Sequence, residues 1–83
     1  MRVTYSRRAL RQLEDIHAYI AERNPQAASR VIARIQELCQ KLGDYPGLGT
    51  KTDDADVWML PVVRYPYNIL ALQGIVWAIR MRL

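Results

Sequence analysis

The 83-residue sequence has a single cysteine and a single histidine. Cys39 therefore has no partner for an internal disulfide, and two such residues are too few to form a Cys/His metal site. We expect no metal and no other cofactor. Cys39 is predicted to be a small buried side chain, because reactive thiols need exposed and electropositive surroundings. The lack of disulfides suits a cytoplasmic protein.

Long apolar runs are also missing. The two longest, near residues 57–63 and 70–79, are interrupted by Pro61, Gln73 and Gly74, so neither is expected to span a bilayer. The start of the chain does not look like a signal sequence. These absences predict a cytoplasmic location without a membrane partner. The length predicts one domain, residues 1–83, with a small core.

Acidic residues are absent from the last third of the chain. Residues 57–83 contain Arg64, Arg80 and Arg82 but no Asp or Glu, within a net charge of +4. This uncompensated charge suits an acidic partner without identifying it. The alternative is that these arginines only keep a sheet face soluble and its edge from aggregating. Without interleaved exposed aromatic residues, they are a weak signal for nucleic-acid binding.

Two amphipathic helices are predicted in the first half of the chain. Ser6 is the candidate N-cap of the first, and Asn24–Pro25 ends that helix and begins the second. Gly43 is expected to supply the left-handed residue that ends the second helix. Because the link is short, the helices should form an antiparallel hairpin with a shared apolar face. In the first helix the apolar stripe comprises Leu10, Leu13, Ile16, His17 and Ile20.

Strand-like segments lie on both sides of the helices. A short first strand is predicted at Arg2–Tyr5, and three more at Val57–Arg64, Tyr67–Leu72 and Ile75–Leu83. The connections between the last three are about two residues long, which favours antiparallel hairpins. Asp44–Asp56 is predicted to be a loop. The predicted fold is α+β, with two layers in the order β-αα-βββ: an antiparallel sheet with the helical hairpin packed on one face.

Side chains alternate between the two faces of a strand, which predicts the orientation of the last one. Arg80 and Arg82 should point to the open face. Arg64 is harder to assign to a face because Pro61 interrupts the ladder. The helix-covered face of this strand is predicted to carry Ile75, Trp77, Ile79, Met81 and Leu83.

No catalytic constellation stands out in the sequence. His17 lies on or beside the buried stripe of the first helix, so packing explains it better than general-base catalysis. The stretch "PGLG" lacks the spacing of a phosphate-binding loop. Asp53, Asp54 and Asp56 lack the glycine and distal glutamate of a calcium loop. We therefore predict no catalytic and no metal-binding residues.

Three stretches together resemble a known family. They are "LEDIHAYIAERNPQAASRVIARI", "PGLG" and "LPVVRYPYNI". In this order they resemble the toxin subunits of the RelE/ParE superfamily of bacterial type II toxin–antitoxin systems, and in particular its ParE-like branch, often called plasmid stabilisation proteins. The resemblance covers nearly the whole chain. It implies the same β-αα-βββ fold and a cognate antitoxin that wraps the toxin with an extended or helical segment.

Two activities are known in this superfamily. Members that cleave mRNA carry basic residues where this chain has Met59, Pro61 and Asn68, none of which is a cation or a general base. The resemblance therefore implies a ParE-like inhibitor that binds DNA gyrase. It favours a protein that is not an enzyme. It implies contact with nucleic acid only indirectly, through the antitoxin. The target-binding residues that follow from it are Arg64, Tyr67, Arg80 and Arg82.

Two alternatives stay open. One is a ribosome-dependent mRNA endonuclease in which side chains from elsewhere replace the missing basic residues. The other is a non-toxic remnant that retains only antitoxin binding. The reason to consider a remnant is the ending "AIRMRL". Many relatives carry a His-Gly-Arg-like tail there, and in this chain Met81 takes the place of the histidine.

Overall fold

In the computed structural model, a helical hairpin packs on one face of a five-stranded sheet. The structure describes residues 3–45, 47–53, 56–72 and 74–81. The α+β prediction and its order of elements are confirmed, with one short strand added between the helices and the meander. The elements are β1 (Thr4–Tyr5), α1 (Arg7–Ala21), α2 (Pro25–Asp44), β2 (Thr50–Lys51), β3 (Val57–Val62), β4 (Tyr67–Leu72) and β5 (Ile75–Met81).

Side-chain caps set the beginning of both helices, as predicted. The Ser6 hydroxyl accepts a hydrogen bond from the backbone N–H of Ala9 at 3.0 Å. The Asn24 side chain does the same for Ala27 at 3.1 Å, with Pro25 as the first residue of α2. Each cap pairs a backbone donor that has no partner inside the helix. Within the described residues, neither helix is long and apolar enough to cross a membrane.

The end of α2 differs from the prediction. Gly43 is buried within the last turn, and it does not adopt a positive φ. The helix continues to Asp44, and the N–H of Tyr45 donates to the carbonyl of Lys41 at 2.8 Å. Packing of this turn against the core keeps the glycine helical, which a local sequence signal for a C-cap does not take into account.

The sheet is mixed, with the strand order β1-β5-β4-β3-β2. The predicted meander is confirmed, since β3 pairs antiparallel with β4 and β4 with β5. In contrast, β1 pairs parallel with β5, so the sheet is not antiparallel throughout. Short turns fix the direction of neighbouring strands, but β1 and β5 are separated by almost the whole chain and the turn rule does not apply to them.

The additional strand β2 explains the second glycine of "PGLG", Gly49. Thr50 and Lys51 pair with Met59 and Trp58 of β3. Just before them, Gly49 has a φ of 101°, and a Cβ on this residue would lie 2.5 Å from the carbonyl oxygen of Met59. Only glycine combines this backbone conformation with so close an approach, so the motif has a structural role in turning the chain into the sheet edge.

The core lies between the helices and one face of the sheet. Ala9 of α1 is fully buried, whereas Leu10 is 48% exposed and His17 is exposed. The buried stripe of α1 is thus rotated from the predicted one, since Ala9 joins Leu13 in the core and Leu10 does not. The buried core cluster consists of Ala9, Leu13, Val31, Ile35, Leu38, Cys39, Leu42, Val62, Tyr67, Ile69, Ala71, Val76 and Ile79.

A β-bulge in β5 changes which residues face the helices. Leu70 pairs with Ala78 and Ala71 with Val76, so that Trp77 is the extra residue. A bulge reverses the alternation on one side of it. The prediction for the helix-covered face is therefore correct for Ile79, which is buried, and wrong for Ile75 and Trp77, each 41% exposed.

Candidate target-binding surfaces

The face of the sheet opposite the helices is called the open face here. It contains a groove of about 680 Å³ with a mainly apolar floor. Asp53 and Arg80 bring opposite charges to this groove, and the exposed ring of Trp77 also lines it. An apolar floor with a few charged groups is typical of a surface that binds another molecule. The lining residues are Thr52, Asp53, Val57, Met59, Leu70, Leu72, Trp77 and Arg80.

Arg80 lies on this open face and is exposed, in agreement with the predicted orientation. Its pairing partner on β4 is Asn68, which in turn pairs with Pro61 on β3. The three residues form a row across three strands. The side-chain oxygen Oδ1 of Asn68 is buried and has no hydrogen-bond partner among the described residues. A buried acceptor without a donor costs free energy, and Asn68 carries such an acceptor on the open face.

Arg64 lies away from this row, in the turn between β3 and β4. The N–H of Tyr65 donates to the carbonyl of Val62 at 3.2 Å, and Arg64 has a φ of 79°. These features describe a β-turn whose third residue usually is glycine. Pro66 follows, with the N–H of Tyr67 donating to the carbonyl of Tyr65 at 2.8 Å. The turn explains how an arginine can stand between strand-like residues: its side chain is exposed at the tip.

Tyr67 belongs to the core. Its side chain is only 4% exposed and packs in the cluster beneath the helices. Burial, followed by the nearby Tyr19, raises the pKa of the Tyr67 phenol above its ordinary value. At neutral pH the ring is an uncharged packing element at the start of β4. It begins β4, which follows the turn containing Arg64.

The four predicted target-binding residues thus do not form one cluster. Arg80 lines the groove of the open face, whereas Arg64 lines a different groove beside α2. Tyr67 is in the core. Arg82 lies outside the described residues. Sequence alternation placed Arg80 correctly, but it could not separate the two grooves because they depend on how the helices pack on the sheet.

Trp77 is a surface residue that the sequence analysis missed. The Arg8 guanidinium lies over its ring at 4.9 Å from the centroid, a cation–π contact. Arg8 is in the first turn of α1, where the helix dipole disfavours a cation, and the ring offsets this cost. An aromatic residue in the bulged strand and an arginine in the helix carry no local signal of this contact, because 69 positions separate them along the chain.

The outer edge of β5 is partly occupied by side chains of the helical layer. β1 pairs only with Ile75 and Val76, so β5 extends beyond it. There, the Ser6 hydroxyl donates to the carbonyl of Trp77 at 2.6 Å, and the Gln12 oxygen Oε1 accepts from the N–H of Ile79 at 2.7 Å. Edge strands left unpaired invite pairing with other chains, and these two bonds reduce the exposed backbone on this edge.

Cys39 and Tyr5 interact with each other through their side chains. Burial raises the pKa of the Cys39 thiol to about 11 and that of the Tyr5 phenol to about 12, while a hydrogen bond joins the two groups. Both are neutral at physiological pH, and the prediction that Cys39 is buried is confirmed. Among the described residues, no three His, Cys, Asp or Glu side chains are grouped to hold a metal ion.

Comparisons of the sequence with known proteins find a matching family and a curated relative. Residues 3–80 match the family described as "ParE toxin of type II toxin-antitoxin system, parDE". The chain is 46% identical over 68 residues to "Putative toxin Y4kP" of Sinorhizobium fredii (strain NBRC 101917 / NGR234), covering 82% of this chain and 71% of that protein.

A solved structure shares the fold. It is described as "Chromosomal ParDE TA system from P. aeruginosa", and the match has a TM-score of 0.83 at 20% sequence identity. The superposition covers 100% of this chain and 97% of the other. At this low identity the likeness concerns the fold, which has the same arrangement of helical hairpin and sheet.

Proposed function

The chain belongs to the family of ParE toxins of type II toxin–antitoxin systems, and on this basis we propose that it inhibits DNA gyrase by binding and is neutralised by a cognate antitoxin. The proposed mechanism is non-catalytic: the toxin holds its target through a surface and needs no acid, base or nucleophile. The proposed partners are thus two proteins, gyrase and the antitoxin. The toxin associates with nucleic acid only indirectly, through the antitoxin.

The composition of the open face is the observation that carries this proposal. Met59 lines its groove, and Pro61 and Asn68 stand opposite each other on neighbouring strands. An RNA-cleaving site needs cations and a general base to stabilise the charge on a phosphate and move its protons. These three side chains supply neither, whereas an apolar floor beside Arg80 suits binding to a protein.

Arg80 is the proposed central contact of the target surface. It is exposed beside the apolar groove and next to Trp77, a residue type that often anchors interfaces together with arginine. Arg64 is proposed as a second contact on the other side of the meander. Tyr67 contributes by supporting the Arg64 turn from the core, and Arg82 follows Arg80 by two positions in the sequence.

The antitoxin is proposed to cover the outer edge of β5. Trp77 and Met81 expose apolar surface there, 41% and 56% of their respective areas. An extended segment can add main-chain hydrogen bonds to the part of this edge that Ser6 and Gln12 leave open, while its side chains cover the exposed apolar ones. Because Trp77 also lines the open-face groove, the same segment would obstruct the target surface. This overlap gives a physical basis for neutralisation.

The experiment that tests the proposal is inducible expression in a bacterial host, with parallel assays of growth, DNA breaks and mRNA integrity. We expect growth arrest with DNA breaks and intact mRNA. In a supercoiling assay with purified gyrase, Arg80→Gln should weaken inhibition roughly tenfold or more, as expected for an arginine at the centre of an interface. Arg23→Gln is the matched control, because Arg23 is exposed in the link between the helices.

The other outcomes contradict the proposal in different ways. Arrest with cleaved mRNA would identify an endonuclease that uses residues other than Met59, Pro61 and Asn68. Unaffected growth, with folded protein that still binds its antitoxin, would identify the non-toxic remnant. Equal loss of inhibition in Arg80→Gln and Arg23→Gln would show that overall charge matters and that the open face is not the target surface.

A further inference from the structure

A second groove lies between α2 and the turn that joins β3 to β4. Its volume is about 580 Å³, and three of its lining residues are arginines. We call it the arginine groove, and it is lined by Arg30, Ala33, Arg34, Glu37, Val63, Arg64 and Tyr65. It does not overlap the lining of the open-face groove.

The charge of the arginine groove is only partly compensated. Arg34 forms an ion pair with Glu37 at 3.3 Å, between side chains that are 36% and 56% exposed. Within the described part of the chain, this is the one acidic side chain that lines the groove with the arginines. Arg30 lies one helical turn before Arg34, so both point to the same side of α2, and Arg64 faces them from the turn. The groove therefore favours an anionic ligand.

Apolar surface accompanies this charge. Val63 is 64% exposed at the tip of the turn, and Ala33 lies between the two helical arginines in the lining. An exposed valine beside guanidinium groups suits a ligand with both carboxylates and an aliphatic side chain. A nucleic-acid backbone matches it less well, because its phosphates offer nothing apolar for Val63 to contact.

We infer that the arginine groove docks an acidic, partly apolar segment of a partner protein, with carboxylates that pair with Arg30, Arg34 and Arg64 and an aliphatic side chain that covers Val63. Arginine binds carboxylates in a two-pronged geometry that lysine does not reproduce. On binding, a partner carboxylate would take over the pairing of Arg34 from Glu37. The inference deepens the proposed function and rests on it only for the identity of the protein that carries the segment.

The backbone of Arg64 supports a role for its side chain. A positive φ is unfavourable for a non-glycine residue, and Arg64 occupies a turn position that glycine fills without this cost. Glycine would be more favourable for folding at this position. The Arg64 side chain, however, has no ion pair among the described residues and lines the groove. The same feature makes a clean test possible, because Arg64→Gly removes the cation without straining the turn.

The test uses the full chain and a defined probe. The probe is a fluorescein-labelled helical peptide with two glutamates four residues apart and a leucine on the adjoining turn, and binding is followed by fluorescence anisotropy. Its partner probe has glutamine in place of each glutamate. We expect the acidic peptide to bind with a dissociation constant below about 1 mM and the glutamine peptide to bind more weakly. Binding should also weaken as salt is raised.

Variants then locate the site. Arg30→Gln and Arg64→Gly should each weaken binding of the acidic peptide roughly threefold to tenfold, as expected for the loss of one exposed or half-exposed charge pair. Arg23→Gln removes the same charge outside the groove and should leave binding within about twofold of the wild type. Circular dichroism and thermal unfolding confirm that Arg64→Gly remains folded.

Several results would overturn the inference. They are no binding of the acidic peptide, equal binding of the glutamine peptide, or an equal effect of Arg23→Gln. A single-stranded oligonucleotide that binds more tightly than the peptide and depends on Arg30 and Arg64 would assign the groove to nucleic acid instead. Peptide binding is measured without gyrase and without growth, so it tests the groove separately from the proposed function. An Arg64→Gly variant that loses peptide binding but still arrests growth would support the inference about the groove. It would also show that Arg64 is not a contact for the toxic target.

Discussion

The two faces of the sheet differ in what their side chains contact. On the helix-covered face, Val62, Ile69 and Val76 are fully buried against α1 and α2. On the open face, Arg80 is exposed, and Asn68 keeps a buried acceptor without a partner among the described residues. One face is packed as a protein core is packed. The other carries polar and apolar groups along an open groove.

This contrast separates stability from function within a small domain. A chain of this size has a small core, so a change on the covered face should threaten folding as a whole. Changes on the open face and at its edge should instead alter binding with little effect on unfolding. If the separation is correct, stability and inhibition will respond to different residues, and the three substitutions below test it in order of decreasing expected effect.

Ile69→Ala should have the largest effect on stability. Ile69 is fully buried at the centre of the sheet on the covered face, and removal of its side chain leaves a cavity that costs roughly 3–4 kcal/mol of unfolding free energy. Leu72→Ala, on the open face of the same strand, is the matched control and should cost no more than about half as much. Urea denaturation followed by circular dichroism measures both.

Equal losses for the two variants would show that the open face is packed as tightly as the covered one, and that the comparison between the faces is mistaken. Under the proposed function, folded Leu72→Ala should also lose more gyrase inhibition than folded Ile69→Ala, since Leu72 lines the open-face groove.

Sequence patterns predicted the elements of the fold better than their orientation. Ser6 and Asn24 act as caps at the positions where their residue types favour a helix start. Which side chains of β5 face the helices depends on a bulge at Trp77. No residue type in the strand predicts this bulge. A one-residue insertion reverses the alternation of side chains, so the error for Ile75 and Trp77 follows from a single unpredicted residue.

The candidate surfaces were predictable only in part, for a similar reason. Arg80 was placed by alternation along one strand, which is local information. The arginine groove joins residues of α2 to a turn about thirty positions later, which depends on tertiary packing. The parallel pairing of β1 with β5 and the contact of Arg8 with Trp77 are likewise long-range. Local sequence patterns do not predict such contacts. The residues that form them are known only from the structure.

Gln12→Ala should have an intermediate effect, because it acts where the helical layer meets the edge of the sheet. The substitution leaves the N–H of Ile79 without its 2.7 Å acceptor, which is expected to cost about 1–2 kcal/mol. Gln12→Glu keeps an oxygen at the same distance from the backbone and should recover most of the loss. Thermal unfolding of the two variants provides the measurement. No difference between them would indicate that the cost comes from lost packing and that the hydrogen bond does not hold the edge.

Asn68→Leu should have the smallest effect on stability and should therefore be the sharpest test of the open face. The amide oxygen of Asn68 is buried without a donor among the described residues, so an apolar side chain of similar size removes an unsatisfied group. Unfolding free energy should stay the same or rise by up to about 1 kcal/mol. Inhibition of gyrase should fall if a partner's donor pairs with this oxygen in the complex. A clear loss of stability would show that Asn68 is already satisfied in the free protein, and the open face would then be complete without a partner.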